Sequence, residues 1–359
     1  MLNPRSSVLA LPTYHPPLAG REGLRLDFNE NTVGCSPRVI ESLRSIGPEQ
    51  LARYPERGPA EALVAGHLQL APEEVLLTNG IDEAIHLLCE TYLEAEDEVL
   101  IPVPTFAMYE VFAAATGARI VKVSASDDLE FPAQRLFAAV SERTRLIVVA
   151  NPNNPTGAVV EPEVLLDLAR SAPLAAVLVD EAYYEFHGAT MLGRWREQPN
   201  LLVARTFSKA YGLAGLRIGV LAGEADAVGS VRRVASPYSV NGVALACLPA
   251  ALEDAQYVCE YAAQVRASRE KLHRRLREWG VRFWPSRANF VLIYIGSLHA
   301  ELVLAMRSQG ILVRDRSSDP GCERCVRITV GSPQQTDCMI DALGTAMTAL
   351  GILKREFSR

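Results

Sequence analysis

The feature that most constrains the fold is a regular alternation between short apolar runs and amphipathic segments over residues 74–222. The runs 146–149 and 176–179 are continuously apolar, as expected of parallel strands that are buried on both faces. The segments between such runs, for example 82–93 and 161–170, have the length and pattern of helices. This rhythm predicts an α/β fold in which a mostly parallel mixed sheet is covered by helices.

The regions on either side of this alternation differ from it in composition. Residues 1–36 are rich in proline and turn-forming residues, and we interpret them as an extended arm that forms part of a smaller domain. A long charged helix is predicted over 251–279, and short strands and helices follow it. We therefore expect a large domain over 37–236 and a small α+β domain over 237–359.

Charge and cysteine content narrow the class of protein. The formal net charge of -6 provides no general basic surface for nucleic acid or anionic membranes. The amino end resembles neither a signal peptide nor a membrane-spanning segment. The seven cysteines are odd in number and scattered, which favours reduced thiols. We therefore expect a soluble cytoplasmic protein with no nucleic-acid or membrane partner.

Three polar clusters directly follow predicted strands, at 151–157, 180–183 and 206–209. Because ligands of open α/β sheets bind at the carboxyl ends of the strands, we expect the three clusters to converge. The last cluster contains Thr206, Ser208 and Lys209, with Arg217 shortly after it. Hydroxyls and a guanidinium suit a phosphate, and a buried lysine suits Schiff-base chemistry. Taken alone the cluster is ambiguous, because lysines near strand ends are usually solvated.

The other candidate residues also have ordinary alternatives. Asp180 ends an apolar strand and needs a cationic partner, either a protonated pyridine nitrogen or a structural ion pair. Asn154 and Tyr183 could hydrogen-bond a phenolate oxygen, and Phe106 or Tyr109 could lie flat on an aromatic ring. Each is also typical of a core or a turn. Together with Lys209, these residue types match pyridoxal phosphate.

The turn at 79–83 lies between a strand and a helix, so that its backbone N–H groups from Gly80 onward could meet a phosphate. The alternative is that Asp82 caps the helix and no ligand binds. The sequence alone favours the second possibility.

Three segments resemble the signature blocks of class I and II aminotransferases of fold type I, namely 153–157 (NNPTG), 180–183 (DEAY) and 208–217 (SKAYGLAGLR). Within that class the chain is most similar to the histidinol-phosphate aminotransferases, through the segments 29–31 (NEN), 53–55 (RYP), 104–109 (PTFAMY) and 325–331 (CVRITVG). The resemblance covers nearly the whole chain. It implies pyridoxal phosphate as cofactor and a homodimer.

The resemblance also implies a role for individual residues around the cofactor ring. Lys209 is implied to be the Schiff-base lysine and proton carrier, and Asp180 the partner of the pyridine nitrogen. Asn154 and Tyr183 are implied to bind the 3-oxygen of the cofactor, and Phe106 to stack on its ring.

Further roles are implied for the cofactor phosphate and the substrate. The groups implied to hold the phosphate are Thr206, Ser208, Arg217, the backbone at Ile81 and Asp82, and Tyr54 from the neighbouring subunit. Arg327 is implied to bind an anionic group of the substrate, either a carboxylate or a phosphate. Arg314 and Tyr14 are implied to assist with the substrate phosphate.

The chain departs from the common pattern of the class at three places. Ile81 stands where a small or hydroxyl residue is expected, residues 32–34 replace a usual proline, and Phe106 stands where tyrosine is frequent. Ile81 leaves only backbone donors in the phosphate turn. These departures bear on the substrate more than on the cofactor.

Cys322 and Cys325 form a CxxC pair, a spacing found in zinc and redox sites. No second ligand pair at zinc spacing accompanies them, and the histidines form no cluster. We therefore interpret the segment as a loop and predict no metal site.

The resemblance implies transamination of histidinol phosphate with 2-oxoglutarate, which gives imidazole acetol phosphate and glutamate in histidine biosynthesis. Two alternatives are an aromatic amino-acid aminotransferase and an enzyme similar to threonine-phosphate decarboxylase. A non-catalytic regulatory module that binds pyridoxal phosphate is a third alternative. We expect such a module to carry a DNA-binding attachment, and we find no helix-turn-helix pattern in residues 1–359.

Overall fold

The computed structural model describes residues 2–11, 13 and 20–353. The strands are β1 (Leu24–Arg25), β2 (Val75–Thr78), β3 (Glu98–Val103), β4 (Arg119–Ser124), β5 (Thr144–Ala150), β6 (Ala176–Asp180), β7 (Leu201–Thr206), β8 (Gly219–Gly223), β9 (Phe283–Trp284), β10 (Phe290–Tyr294), β11 (Ile311–Leu312), β12 (Arg314–Asp315) and β13 (Cys325–Thr329). The α-helices are α1 (Ser6–Leu9), α2 (Pro37–Arg44), α3 (Pro48–Ala52), α4 (Gly58–Leu68), α5 (Gly80–Tyr92), α6 (Met108–Thr116), α7 (Ala133–Ala139), α8 (Pro162–Ser171), α9 (Tyr184–His187), α10 (Ala225–Arg232), α11 (Gly242–Glu253), α12 (Ala255–Glu278), α13 (His299–Ser308) and α14 (Pro333–Ala349). None of these helices is both long and apolar enough to cross a membrane.

A seven-stranded sheet forms the centre of the molecule, with the strand order β2-β8-β7-β6-β5-β3-β4. The pairs from β7 to β4 are parallel, and β8 is antiparallel to both of its neighbours. The predicted α/β fold with a mostly parallel mixed sheet is therefore confirmed. In this order β5, β6 and β7 are adjacent, which brings their carboxyl ends together.

The central strands are apolar on both faces because helices cover both sides of the sheet. In β5, Leu146 and Val148 pack into one hydrophobic cluster, while Ile147 and Val149 pack into another on the opposite face. All four side chains are at most 1% exposed. Helix α5 packs in the first cluster and helix α8 in the second. This two-sided burial accounts for the continuously apolar runs in the sequence.

A second, antiparallel sheet has the order β12-β13-β10-β9. Its residues share a core with those of α12, α13 and α14. Strand β1 from the amino-terminal arm pairs in parallel with β11, so the arm is hydrogen-bonded to the carboxyl-terminal part of the chain. The domain boundaries at residues 36 and 236 stay a prediction.

The charged helix predicted over 251–279 begins later than expected and has a separate helix before it. Helix α11 ends at Glu253 and α12 begins at Ala255, with Asp254 outside helical geometry between them. The Asp254 carboxylate accepts a hydrogen bond from the hydroxyl of Ser36, the residue that caps α2. A contact across 218 positions therefore accompanies the break, and helical periodicity alone could not reveal it.

Gly219 allows the first turn of α5 to approach β8 closely. A Cβ built at Gly219 would lie 2.9 Å from the carbonyl carbon of Gly80 and from the amide nitrogen of Ile81. We expect Gly219→Ala to lower the free energy of unfolding by about 1–3 kcal/mol, because backbone atoms would have to move. Urea denaturation measures this change. The control is Gly229→Ala in α10, where nothing lies within 4 Å of the new Cβ. It should stabilise the protein by about 0.5–1 kcal/mol, and an equal effect of both substitutions would contradict the steric argument.

Candidate active site

A cavity of about 430 Å³ lies at the carboxyl ends of β5, β6 and β7. The predicted site residues that line it are Ile81, Asp82, Phe106, Asn154, Asp180, Tyr183, Thr206, Ser208, Lys209, Arg217, Arg314 and Arg327. The expected convergence of the three polar clusters is therefore seen in the structure. Residues from the second sheet complete the wall, so the cavity lies between the two sheets.

Asp180 is the last residue of β6 and is 5% exposed. One carboxylate oxygen accepts a hydrogen bond from the backbone N–H of Ala182 at 2.9 Å, and the other accepts one from the hydroxyl of Tyr109 at 2.5 Å. Burial raises the pKa of Asp180 to about 6, although both hydrogen bonds act to lower it. A cation placed against this carboxylate would further stabilise its ionised form.

The Tyr109 hydroxyl stabilises the ionised form of Asp180, and the sequence did not reveal this contact. The Tyr109 ring, one of the two considered for stacking, is buried, and its hydroxyl contacts Asp180. The other ring, Phe106, packs edge-on to the Tyr109 ring, with 5.5 Å between ring centroids. The stacking of Phe106 or Tyr109 on an aromatic ring stays a prediction. Phe106 is partly exposed and lines the cavity.

We expect Tyr109→Phe to lower kcat/KM of the predicted reaction roughly 10-fold, because a hydrogen bond to a charged group is lost. The pKa of Asp180 should rise, since this hydrogen bond acts to lower it. The acidic limb of the kcat/KM profile should therefore move to higher pH. Tyr92→Phe is the matched control, because its hydroxyl contacts only the Ala227 carbonyl at 3.5 Å. An unchanged pH profile in Tyr109→Phe would exclude this role.

Lys209 follows β7 and directs its Nζ atom to the carbonyl oxygen of Phe28, at 3.0 Å. Burial lowers the pKa of Lys209 to about 8, and the positive charge of Arg327 adds to the effect. A lysine with a lowered pKa has a larger fraction of neutral, nucleophilic amine at neutral pH. The partly buried lysine is therefore suited to attack a carbonyl carbon.

The first turn of α5 and the segment after β7 form one end of the cavity. Helix α5 begins at Gly80, and Asn79 precedes it without a side-chain cap. Asp82 does not cap the helix, contrary to the alternative that the sequence favoured, because it lies inside the first turn and its carboxylate contacts Arg217 at 3.1 Å. The buried Thr206 and Ser208 lie at the same end. This helix start can accept an anionic group.

Gly80 and Arg217 are in close contact at this end of the cavity. Gly80 has φ +78°, and a Cβ there would meet Arg217 Nη2 at 2.8 Å. Arg217 itself has φ 54°, in the left-handed region. Both backbone conformations bring the guanidinium against the start of the helix.

Asn154, Tyr183 and Arg327 also line the cavity, and hydrogen bonds hold their side chains. The guanidinium of Arg327 donates to Asn154 Oδ1 at 2.5 Å and to the carbonyl oxygen of Asp27 at 2.6 Å. The Tyr183 hydroxyl accepts a hydrogen bond from Asn29 Nδ2 at 3.0 Å. Arg327 is 5% exposed, and burial together with the charge of nearby Arg316 lowers its pKa to about 10. Its Nε atom is buried without a hydrogen-bond partner among the described residues.

The arm contributes to this site more than the sequence indicated. The Phe28 carbonyl contacts Lys209, and Asn29 contacts Tyr183. Asn29 has φ 56° and also accepts a hydrogen bond from the Thr329 hydroxyl at 3.1 Å. The distinctive run 26–31 was the available signal, but its partners lie 154 or more positions away.

Two predicted site residues lie outside this cavity or outside the described chain. Tyr54 is 80% exposed and packs on Tyr238, with 4.5 Å between ring centroids. Tyr14 lies outside the described residues.

All seven cysteines are free, and Cys322 and Cys325 are buried at a loop and the start of β13. Residues 2–11, 13 and 20–353 contain no group of three or more His, Cys, Asp or Glu side chains placed to hold a metal.

The residues of the cavity fit pyridoxal phosphate. A buried carboxylate that lacks a cation matches a protonated pyridine nitrogen, and the lysine amine matches an aldehyde carbon. The helix start and Arg217 match a phosphate, with Gly80 leaving room where a Cβ would clash with the guanidinium. Phe106 offers an aromatic face. The residues therefore agree with the pyridine nitrogen, the aldehyde, the phosphate and the aromatic ring of the cofactor.

Comparison with known proteins agrees with this assignment. Residues 21–343 match the profile of the family described as aminotransferase class I and II. Histidinol-phosphate aminotransferases from Symbiobacterium thermophilum and Roseiflexus castenholzii are 37% and 36% identical to the chain, covering 90% of both proteins in the first case and 94% and 96% in the second. The solved structure of a histidinol-phosphate aminotransferase from Sinorhizobium meliloti in complex with pyridoxal-5'-phosphate superposes with a TM-score of 0.86 at 26% identity, over 96% of this chain and 97% of that one.

The fold and the cavity define a pyridoxal-phosphate-dependent transferase of fold type I. The matches to relatives cover nearly the whole chain, so they include both sheets and the cavity between them. The chain belongs to the aminotransferase class I and II family.

Proposed function

We propose that this aminotransferase transfers the amino group of histidinol phosphate to 2-oxoglutarate, giving imidazole acetol phosphate and glutamate. The observation that carries the proposal is that Arg314 and Arg327 line the same cavity as Lys209. Two guanidinium groups match a dianionic phosphate better than they match a single carboxylate. The relatives named as histidinol-phosphate aminotransferases support the same substrate.

The cofactor would be held by residues at one edge of the seven-stranded sheet, where β5, β6 and β7 end. Asp180 would bind the pyridine nitrogen and keep a proton on it, and Phe106 would stack on the ring. Asn154 and Tyr183 would bind the 3-oxygen. The groups proposed to bind the phosphate are Thr206, Ser208, Arg217 and the backbone N–H groups of Ile81 and Asp82. When bound, the cofactor supplies an electron-accepting ring that stabilises negative charge on the carbon from which a proton is removed.

Lys209 would have two roles during turnover. Its neutral amine would bind the cofactor covalently between substrates, and the lowered pKa of about 8 raises the fraction of that neutral form. Once the substrate amine has displaced it, the Lys209 amine would move a proton from the substrate α-carbon. Phe28 would help to orient Nζ, since its carbonyl lies 3.0 Å away.

The substrate anion would bind at Arg327 and Arg314, with Tyr14 of the arm as a further contact. Arg327 is preoriented by its hydrogen bonds to Asn154 and to the Asp27 carbonyl, so little conformational entropy is lost when an anion binds. The same guanidinium would bind a carboxylate of glutamate in the second half-reaction. Arg314 packs against the Phe28 ring at 5.2 Å and would assist with the phosphate.

The proposal is tested by single-turnover half-reactions of the cofactor-loaded enzyme with a panel of amines, followed by the visible absorption of the cofactor. Histidinol phosphate should react with the highest kmax/Kd, and phenylalanine at least roughly 10-fold more slowly, because it lacks the phosphate. A preference for phenylalanine would indicate an aromatic amino-acid aminotransferase. Release of carbon dioxide from threonine phosphate would indicate a decarboxylase, and no reaction with any amine would indicate a regulatory module.

We propose that the enzyme is a homodimer in which Tyr54 contacts the cofactor phosphate of the neighbouring subunit. The proposal is supported by the 80% exposure of Tyr54, which is unusual for an aromatic side chain. Apolar side chains on nearby helices are exposed as well, namely Ile40, Leu43, Leu51 and Leu63.

A mixture of two variants tests the shared site, and the activity of each variant reassembled alone gives the baseline. Lys209→Ala and Tyr54→Ala subunits, dissociated and reassembled together, form mixed dimers in which one site carries both substitutions and the other carries neither. About half of the randomly formed dimers are mixed, and each mixed dimer has one intact site out of two. We therefore expect the mixture to regain about a quarter of the activity of the same amount of wild type. Reassembled Leu174→Ala, at an exposed apolar residue, serves as the control for losses during dissociation. Failure of the mixture to regain activity, while the control recovers, would contradict the proposal.

We also place the enzyme in the cytoplasm. The seven free cysteines, of which Cys89, Cys247, Cys322 and Cys325 are buried, support a reducing compartment.

A further inference from the structure

We propose that Asn29 is a positioning residue, which directs the hydroxyl proton of Tyr183 to the 3-oxygen of the cofactor. This inference rests on the proposed binding of that oxygen by Tyr183. It assigns to a residue of the arm a role that is exerted through another side chain.

The hydroxyl of Tyr183 accepts a hydrogen bond and keeps its own proton for a ligand. Tyr183 lines the cavity, and Nζ of Lys209 lies 6.0 Å from the centre of its ring. The hydroxyl oxygen accepts a hydrogen bond from Asn29 Nδ2 at 3.0 Å. Within residues 2–11, 13 and 20–353 this is the only hydrogen bond of that hydroxyl. Because a phenolic hydroxyl can accept and donate at the same time, its proton remains available to the cofactor.

The direction of this hydrogen bond is fixed by Thr329, which contacts the oxygen of the Asn29 amide. The Thr329 hydroxyl accepts from the Asn29 backbone N–H at 3.1 Å and donates to Asn29 Oδ1 at 3.1 Å. Thr329 is fully buried, and its hydroxyl has no other acceptor in the described part of the chain. If the amide were reversed, the hydroxyl proton of Thr329 would be left without a partner in a buried position, which is costly. Asn29 therefore presents its NH2 group, and not its oxygen, to Tyr183.

The backbone of Asn29 is held in place as well. Asn29 has φ 56° and is 1% exposed, and its carbonyl accepts a hydrogen bond from Asn289 Nδ2 at 3.1 Å. The carbonyl of the preceding residue, Phe28, contacts Lys209 Nζ at 3.0 Å. One short segment of the arm therefore contacts both Lys209 and Tyr183.

The hydrogen bond from Asn29 also makes the Tyr183 hydroxyl a stronger donor. Burial raises the pKa of Tyr183, whereas the charge of Arg327 and the hydrogen bond from Asn29 act to lower it. A hydroxyl that accepts a hydrogen bond is polarised by it and donates more strongly in turn. The loss of the Asn29 amide should therefore weaken the hydrogen bond that Tyr183 donates to the 3-oxygen.

The test measures the pH midpoint at which the visible absorption of the bound cofactor changes, without any amino donor. This change reports the loss of a proton from the nitrogen that links Lys209 to the cofactor. While that nitrogen is protonated, it donates to the 3-oxygen itself. Once it has lost the proton, the negative charge of the 3-oxygen depends on donors of the protein. A donor at the 3-oxygen therefore lowers the midpoint.

Two single variants and their combination carry the test. Asn29→Gly removes the amide, and glycine adopts the positive φ of this position without strain. We expect Asn29→Gly to raise the midpoint by about 0.5 pH unit and Tyr183→Phe by about 1 pH unit, because the first weakens a hydrogen bond that the second removes. In the Tyr183→Phe background, Asn29→Gly should have no further effect, since its effect passes through the hydroxyl.

A third variant and a control complete the experiment. Thr329→Val leaves Asn29 in place but removes the hydroxyl that orients its amide, so it should also raise the midpoint. Asn200→Gly is the control, because the Asn200 amide is partly buried and donates to three backbone carbonyls away from the cavity. It should lower the free energy of unfolding but leave the midpoint unchanged.

The possible outcomes separate this inference from the proposals on which it rests. The inference is overturned if Asn29→Gly leaves the midpoint unchanged while Tyr183→Phe raises it, and the role of Tyr183 then stands. It is also overturned if Asn29→Gly raises the midpoint equally with and without the Tyr183 hydroxyl. If Tyr183→Phe leaves the midpoint unchanged, the contact of Tyr183 with the 3-oxygen fails and the inference fails with it. No amino donor is present, so a failure of histidinol phosphate in the half-reaction is a separate result.

Discussion

Lys209→Ala is expected to lower the rate of transamination by at least about 10⁴-fold, because both the nucleophilic amine and the proton carrier are lost. The cofactor should still bind, since Asp180 and the phosphate-binding residues remain. Steady-state kinetics with the best amino donor measures the first effect. Equilibrium dialysis of Lys209→Ala with the cofactor measures the second, and borohydride treatment followed by peptide mass spectrometry should attach the cofactor to the Lys209 peptide in wild type only.

Lys122→Ala is the matched control for this substitution. Lys122 is an exposed residue of β4 that pairs with Glu110 at 2.7 Å, away from the cavity. It should leave turnover and cofactor attachment unchanged. Turnover near the wild-type rate in Lys209→Ala would overturn the mechanism.

The lowered pKa of Lys209 also predicts how the stability of the cofactor-free protein depends on pH. The folded state disfavours the charged lysine, so it binds this proton less tightly than the unfolded state does. The free energy of unfolding should therefore gain a contribution from Lys209 as pH rises from about 8 towards the ordinary value of 10.5. The gain should be absent from Lys209→Ala when both proteins are unfolded in urea at pH 7.5 and pH 10. Equal pH dependence in the two proteins would mean that burial does not lower the pKa of Lys209.

Asp180→Asn is expected to lower kcat on the order of 10³-fold, the second-largest effect, because the preorganised negative charge opposite the ring nitrogen is lost. The asparagine has nearly the same volume, so the fold should remain intact. Stopped-flow absorption of the half-reaction should locate the loss in proton removal from the substrate rather than in substrate binding.

Asp180→Glu provides the comparison for this variant, since it keeps the carboxylate but displaces it from the Tyr109 hydroxyl and the Ala182 N–H. We expect its kcat to lie between those of wild type and Asp180→Asn. If Asp180→Asn and wild type had equal kcat values, the carboxylate would not be the partner of the ring nitrogen.

Much of the fold was predictable because strand burial leaves a direct trace in the sequence. Runs such as 146–149 are apolar at every position only when both faces of a strand are covered, and this indicates a parallel sheet between helices. The order of the strands was not predictable from that pattern. The position of β8, antiparallel between β2 and β7, depends on pairing between residues far apart in the chain.

The members of the candidate site could be predicted because they follow strands or occur in compact motifs. Asp180 is the last residue of β6, and Thr206 is the last residue of β7. Asn154 follows β5 within a few residues, and Lys209 follows β7 within a few residues. Neighbouring parallel strands therefore bring them together without further information. The roles assigned to these residues stay proposals until the variants are measured.

The sequence by itself determined the sheet, the edge at which ligands bind, and the residue types that match the cofactor. Only the tertiary structure decided which other groups contact those residues in the cavity. Tyr109 binds Asp180 across 71 positions, Asn29 binds Tyr183 across 154, and Arg316 and Asp319 join the same cavity from the second sheet. The physical reason is that periodicity reports local geometry and burial, whereas each of these contacts depends on the packing of elements that are distant in the chain.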